Sequence, residues 1–277
     1  MKVYWKLILL LLFLIVCLSW LAVLSIPPQN LRIIACNVGQ GDAIIVTYGN
    51  TQALIDGGPG NKVISCLSRY MPFWDRTIEL VVLTHPDADH ATGLVEVFKN
   101  YNVKIFVTTN IKKETNVYSA LNTKVKEKRI KTYYAKAGDT LVSGKLYFDI
   151  FHPKEIPPEA DKVNLYSIVI KMSFLDFNAL FTGDIEDAEC DYISDVFDLS
   201  GIEYLKVPHH GSKNGLSQKM LNEIKPQIAV ISLGKNNFGH PHQEVLDMLA
   251  NSNTKVLRTD KGRDVVLETN GSAWWLK

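Results

Sequence analysis

The segment Leu83-Thr84-His85-Pro86-Asp87-Ala88-Asp89-His90 decides how this chain is read. It follows a β-branched run at 80–84 and precedes helical periodicity at 92–100, so it stands where a strand gives way to a helix. Pro86 and the small Ala88 are expected to keep it a tight loop, and side chains at i, i+2, i+4 and i+5 then turn inward toward two adjacent ions. Imidazole suits zinc, while paired carboxylates favour harder ions such as manganese. A solvated acidic loop would account for Asp87 and Asp89, but not for histidines bracketing them at this spacing.

Working outward, the chain has seven histidines, and six of them fall in three short clusters that each follow an apparent strand. Val207-Pro208-His209-His210-Gly211-Ser212 places two adjacent imidazoles that project to different sides. Phe238-Gly239-His240-Pro241-His242 lies in a glycine and proline loop, where its histidines suit proton donation or substrate contact. His152, before Pro153, reads as structural. Two aspartates also end strands. In Leu54-Ile55-Asp56-Gly57-Gly58, Asp56 stands where it can orient a metal-binding histidine. In Phe181-Thr182-Gly183-Asp184, Asp184 stands where a carboxylate can bridge two ions. The acids between Asp184 and Asp198 otherwise read as the exposed face of a helix.

The 277 residues are 47% hydrophobic and 21% charged, which suits a globular core and excludes a chain dominated by disorder, collagen repeats or coiled coil. The net charge of +1 excludes a generic polycation. Residues 7–26 carry no charge and follow Lys2 and Lys6, so residues 1–26 read as a membrane anchor with a cytoplasmic N-terminus and an exported body. Cleavage there would instead release a secreted protein. Residues 27–30 form a linker and 31–277 one domain. Short β-branched runs at 32–38, 43–48, 53–56 and 80–84 recur in style at 146–151, 167–172, 179–182, 203–207 and 227–232. Helical periodicity lies at 63–70, 92–100, 118–128, 186–197, 217–224 and 243–250. Strands and helices in both halves predict an α/β domain with two sheets covered by helices. Cys17 lies in the apolar run and three cysteines remain, without CxxC spacing, so a disulfide framework is not expected.

Taken in order, Asp56, the His85–His90 segment, Asp184 and His210 resemble the metallo-β-lactamase superfamily. More narrowly, Asn37-Val38-Gly39-Gln40-Gly41-Asp42-Ala43, Gly211-Ser212 and Gly239-His240-Pro241-His242 resemble the hydrolase domain of ComEC-type DNA-uptake (competence) proteins. The resemblance runs from about Leu31 to the C-terminus. It implies a four-layer αββα sandwich with two divalent ions, zinc or manganese, at the edge where the sheets meet. Three departures stand out. Asp87 replaces the superfamily's common histidine, although the ComEC-type branch shares it. Asn164 lies near the place of a third histidine. A single apolar segment stands where a channel has many.

The resulting assignment gives His85 and Asp87 to the first ion and Asp89, His90 and His210 to the second, with His209 as the alternative to His210. Asp184 lies between the ions, Asp56 and Asn164 support, and Asp89, Asp184, His240 and His242 are the catalytic candidates. The expected activity is metal-dependent phosphodiester hydrolysis, on DNA as the resemblance implies. Nine basic and two acidic residues between Tyr101 and Lys136 offer single-stranded DNA a path, with Lys124, Lys126, Lys128 and Arg129 as candidate contacts. Hydrolysis of a smaller or wall-linked phosphodiester, as by phosphorylcholine esterases, is the enzymatic alternative. A tethered, non-catalytic binding module is the alternative from another class.

Overall fold

In the computed structural model the described residues are 2–24, 29–111, 113–157 and 161–277, so residues 27 and 28 of the expected linker lie outside them. Helix α1 (Lys2–Leu24) comes first. It contains an 18-residue window, Tyr4–Leu21, long and apolar enough to cross a membrane, and a signal sequence would pass the same test. From Leu31, strands β1 (Leu31–Ala35), β2 (Ile44–Tyr48), β3 (Thr51–Ile55), β4 (Thr77–Val82), β5 (Asn102–Thr108) and β6 (Lys131–Tyr134) are interleaved with helices α2 (Lys62–Tyr70), α3 (Ala88–Asn100) and α4 (Asn116–Glu127). The second half runs β7 (Thr140–Ser143), β8 (Leu146–His152), β9 (Val169–Phe174), β10 (Phe177–Phe181), α5 (Asp187–Val196), β11 (Tyr204–Lys206), α6 (Gln218–Ile224), β12 (Ile228–Ile231), α7 (Gln243–Asn251), β13 (Lys255–Arg258), β14 (Val265–Thr269) and β15 (Trp274–Leu276).

The strands form two sheets, ordered β15-β14-β1-β2-β3-β4-β5-β6 and β13-β12-β11-β10-β9-β8-β7. Both faces of each sheet are covered, which is why the central strands read as continuous apolar runs rather than alternating ones. Strand alternation still sorts them: Ile33, Ile44 and Val46 face Phe148, Ile170, Met172 and Phe181 between the sheets. Ile34, Leu54 and Val81 face outward onto Leu94, Val97 and Phe98 of α3. On the far side Leu205, Ala229 and Ile231 meet Met220, Leu221 and Ile224 of α6. This is the expected four-layer αββα arrangement.

Strands β3 to β6 are mutually parallel, and so are β10 to β13. The loops after their C-terminal ends therefore gather at one edge, and that edge carries every histidine cluster. Strands β5, β6, β7, β13, β14 and β15 were not marked by the β-branched runs, because most carry outward polar or charged residues such as Lys104, Lys131 and Lys255. Helix α3 corrects the expected extent of the 85–90 loop. It starts at Ala88, with Asp87 as its extended N-cap, so Asp89 and His90 stand on its first turn.

The expectation about cysteines is also corrected. Cys36, just past β1, is bridged to Cys66 of α2, with Cα atoms 6.1 Å apart. An odd count leaves one thiol over, and buried Cys190 is that thiol; it does not forbid a bridge between segments that pack together. Closing a loop of 30 residues restricts the unfolded chain, so Cys36→Ala/Cys66→Ala should lose about 3–4 kcal/mol of stability. Urea midpoints of variant and parent, each with and without reductant, check this. Only the parent should respond to the reductant.

Candidate metal centre

The centre is built from chain turns that no ordinary strand or helix allows. Asp56, ending β3, and the consecutive His209 and His210, after β11, all take positive φ (60°, 49° and 55°), a costly conformation for non-glycine residues that clusters at functional sites. Gly41 allows a close approach of two backbones. A Cβ there would lie 2.1 Å from the Asp89 carbonyl oxygen, and Gly41 itself stands at a φ of +131°. The glycine-rich 37–42 loop is thereby pressed against the first turn of α3.

Each inward histidine is fixed through one ring nitrogen, which leaves the other free. His90 Nδ1 lies 2.8 Å from Asp56 Oδ2, and the same carboxylate accepts the Thr84 amide and hydroxyl, both at 2.8 Å. His210 Nδ1 donates to the Ser232 carbonyl at 2.7 Å. His85 Nδ1 lies 3.0 Å from Thr84 Oγ1. The Nε2 atoms of His85, His90 and His210 are buried without a hydrogen-bond partner among the described residues. Asp184 Oδ2 is 3.3 Å from His90 Nε2 and 3.2 Å from His210 Nε2, without hydrogen-bond alignment. Asp89 Oδ2 is 3.5 Å from His210 Nε2. One ligand atom each from Asp89, His90, Asp184 and His210 thus falls within 4.8 Å of the others. Converging, orphaned imidazole nitrogens beside two carboxylates fit a divalent metal ion, because that is the partner such a donor set lacks.

Charge supports the same reading. Burial pulls the His90 and His210 imidazoles down, but carboxylates outweigh it. Asp184, Asp56 and Asp89 hold His90 well above the ordinary range, and Asp184 and Asp42 push His210 up to about 9. Burial works against the Asp184 carboxylate as well, yet His210, His90 and Lys206 hold it well below the ordinary range. Without metal the two imidazoles are therefore protonated at neutral pH, and a ligand imidazole must be neutral. Metal loading at pH 7 should release about two protons, and apparent affinity should rise about 100-fold per pH unit until the folded values are passed. Calorimetry in buffers of different ionisation enthalpy measures the release, and a value near zero would contradict these charges.

The remaining expected residues are placed less uniformly. Asp87 does not turn fully inward: as the N-cap of α3 it stands at the rim, ion-paired to Lys113, with Oδ2 3.9 Å from His85 Nε2. His210 takes the inner position for which His209 was the alternative. His209 points instead toward Asn164, with Nδ2 of Asn164 3.4 Å from its Nε2, and lies 4.0 Å from Asp184 Oδ2. His240 stands beside it, ring centroids 5.7 Å apart, and His242 lies 5.6 Å from His240. Burial and the imidazoles of His209, His210 and His242 push His240 down to about 4, so it is a neutral imidazole at pH 7 and a poor store for a proton. His152 Nδ1 donates to the Ser167 carbonyl, and the Ser167 hydroxyl accepts from the Asp184 amide; His152 braces the centre from outside. Lys124, Lys126, Lys128 and Arg129 are not brought to the centre. Helix α4 runs back along the sheet between the end of β5 and the start of β6, which puts them at the opposite end of the strands.

Two buried neighbours of the centre, Lys206 and Asp42, are not among the site residues assigned from the motifs. Lys206 is 1% exposed and pairs with Asp42, which is equally buried, while its Nζ lies 2.9 Å from the Gly183 carbonyl and 3.4 Å from Asp184 Oδ1. Asp42 Oδ1 in turn lies 3.6 Å from His210 Nδ1. The available signal was a lysine inside the apolar run Tyr204-Leu205-Lys206-Val207, since a lysine in a strand buried on both faces needs a carboxylate.

Comparison with known proteins agrees with this geometry. Residues 36–235 match the metallo-beta-lactamase superfamily. The chain is 30% identical to ComE operon protein 3 of Bacillus subtilis, over 81% of this chain and 31% of that one. It is 27% identical to Recombination protein 2 of Haemophilus influenzae, over 85% and 28%. The chain thus spans less than a third of the length of these curated relatives. Among solved structures, the metallo-beta-lactamase fold protein YhfI of B. subtilis superposes with a TM-score of 0.59 at 11% identity, covering 87% of this chain and all of that one. Zinc-bound PqqB of Methylobacterium extorquens gives 0.53 at 10%, over 85% and 99%. The fold is a metallo-hydrolase fold related to competence proteins, and the chain belongs to the metallo-β-lactamase superfamily.

Proposed function

We propose that this chain is a membrane-anchored, extracytoplasmic phosphodiesterase that uses two divalent ions, zinc or manganese, to hydrolyse DNA. The observation that carries the chemistry is the set of orphaned Nε2 atoms of His85, His90 and His210 around Asp184 and Asp89. DNA as substrate is supported by relatives named for competence and recombination. The Cys36–Cys66 bridge supports an oxidising, extracytoplasmic location for the domain.

Asp89, His90, His210 and Asp184 would hold one ion. His85, with Asp184 and a reoriented Asp87, would hold the other, beside His209 and Asn164. Such ions lower the pKa of water and withdraw charge from a phosphoryl oxygen. The protein's own part is positional. Asp56 and Ser232 set the tautomers of His90 and His210. Lys206 keeps Asp184 Oδ1 occupied, so that Oδ2 faces the imidazoles. His240 and His242 stand where a neutral N–H can hold a phosphate oxygen; the low His240 value favours that role over proton donation.

One placement favours the second reading, a smaller phosphodiester: the Lys124–Arg129 cations stand at the far end from the centre. The full chain in detergent, loaded with manganese or zinc, is to be offered single-stranded DNA and bis-p-nitrophenyl phosphate side by side. Cleavage of both is expected. Hydrolysis of the small diester alone would move the substrate to the second reading, and hydrolysis of neither would leave a binding module.

A further inference from the structure

The end of the domain opposite the metal centre carries an exposed aromatic pair that nothing in the chemistry above uses. Phe73 and Trp74, in the loop between α2 and β4, are 76% and 47% exposed, with ring centroids 4.8 Å apart. Strand β4 starts at Thr77, so this loop lies at the N-terminal end of β4, and His85 lies past its other end. Strand β1 runs in the same sense as β3 and β4, because β2 is antiparallel to both β1 and β3. Leu31, where the chain enters the domain from the anchor, is therefore at the same pole as Phe73 and Trp74.

Chain length then limits where that pole can be. Helix α1 ends at Leu24 and β1 begins at Leu31, and the six residues between them reach at most about 20 Å. The chemistry of the pole matches a lipid surface. Aromatic rings belong at the level of the headgroups, and basic side chains near anionic lipid each contribute about 1 kcal/mol. Arg76 follows the aromatic pair after Asp75, and Lys128 and Arg129 occupy the turn between α4 and β6, two strands along the sheet. The acids in these two turns are Asp75 and Glu127, and Glu127 is paired to Lys124.

We propose that Phe73 and Trp74, with Arg76, Lys128 and Arg129, seat this pole on the headgroup layer of the bilayer that α1 crosses. The proposal depends on the anchored reading given above. It turns the metal centre away from the membrane by the length of β4, about 20 Å, so that substrate arrives from the aqueous side. It also gives Lys128 and Arg129 a lipid partner in place of the DNA expected from sequence.

The test uses the full chain with Cys17→Ala, reconstituted in mixed phosphatidylcholine and phosphatidylglycerol vesicles. Single nitroxides are attached at Leu14→Cys, Phe73→Cys and Phe238→Cys, the last on the exposed loop beside His240. Collision with oxygen against a water-soluble nickel chelate reports depth. Positions 14 and 73 should favour oxygen, and 238 the chelate. If 73 behaves as 238 does while 14 favours oxygen, the anchor stands and the seated pole is wrong. If 14 favours the chelate, both fall. The native ring gives a second reading: with Trp5→Phe and Trp20→Phe removing the anchor's tryptophans, quenching by brominated acyl chains should drop when Trp74→Phe is added. Unchanged quenching would overturn the proposal.

Discussion

Asp184→Asn is expected to lower metal-dependent hydrolysis by more than about 100-fold without unfolding the domain. Changing a residue that merely orients a metal ligand costs about 10–100-fold, and that is the loss expected for Asp56→Asn, which touches His90 from behind. Asp184 stands in front, its Oδ2 3.3 Å from His90 Nε2 and 3.2 Å from His210 Nε2. The amide keeps the shape of the carboxylate but supplies no charge to a cation, and its NH2 group can present donors to imidazoles that already need an acceptor. Rates on bis-p-nitrophenyl phosphate, with bound metal measured by elemental analysis, check the prediction. A variant within a few-fold of the parent in both would remove Asp184 from the centre.

The second large effect concerns stability. Lys206→Met should destabilise the domain by about 3–5 kcal/mol, because it strands the Asp42 carboxylate in a buried position. His210, 3.6 Å from Asp42 Oδ1, relieves part of this while it is protonated and none once it must be neutral for metal. The destabilisation should therefore be larger in metal-loaded protein. Adding Asp42→Asn to Lys206→Met should recover much of the loss, since a buried pair removed together costs far less than one partner removed alone. Denaturant midpoints of both single variants and the double variant give the coupling. Additive losses would show that Asp42 and Lys206 do not act as a pair.

Much of the centre was legible because its residues are local in sequence. His85, Asp89 and His90 lie within six positions, and His210 and Asp184 each end a recognisable strand. The αββα layering was legible for a similar reason: apolar runs of strand length, separated by helical periodicity, have few ways to bury both faces of two sheets. The spacing of Asp87 is right, but its place as N-cap of α3 holds it at the rim beside Lys113. The basic stretch at 101–136 was read as one path because charge counts carry no direction. The fold sends α4 back along the sheet, which separates Lys124–Arg129 from the histidines.

What the sequence alone determined is the chemistry of the donors, their order and the strand ends that carry them, because these depend on residue type and short-range spacing. Tertiary structure decided which of His209 and His210 turns inward and that Cys36 meets Cys66. It also decided that Lys206, Asp42 and Asp184 share one buried space, and that the aromatic pair stands at the pole where β1 begins. Those placements relate segments tens to more than a hundred residues apart, set by sheet register and by positive-φ turns, and no local pattern in the chain encodes such a distance.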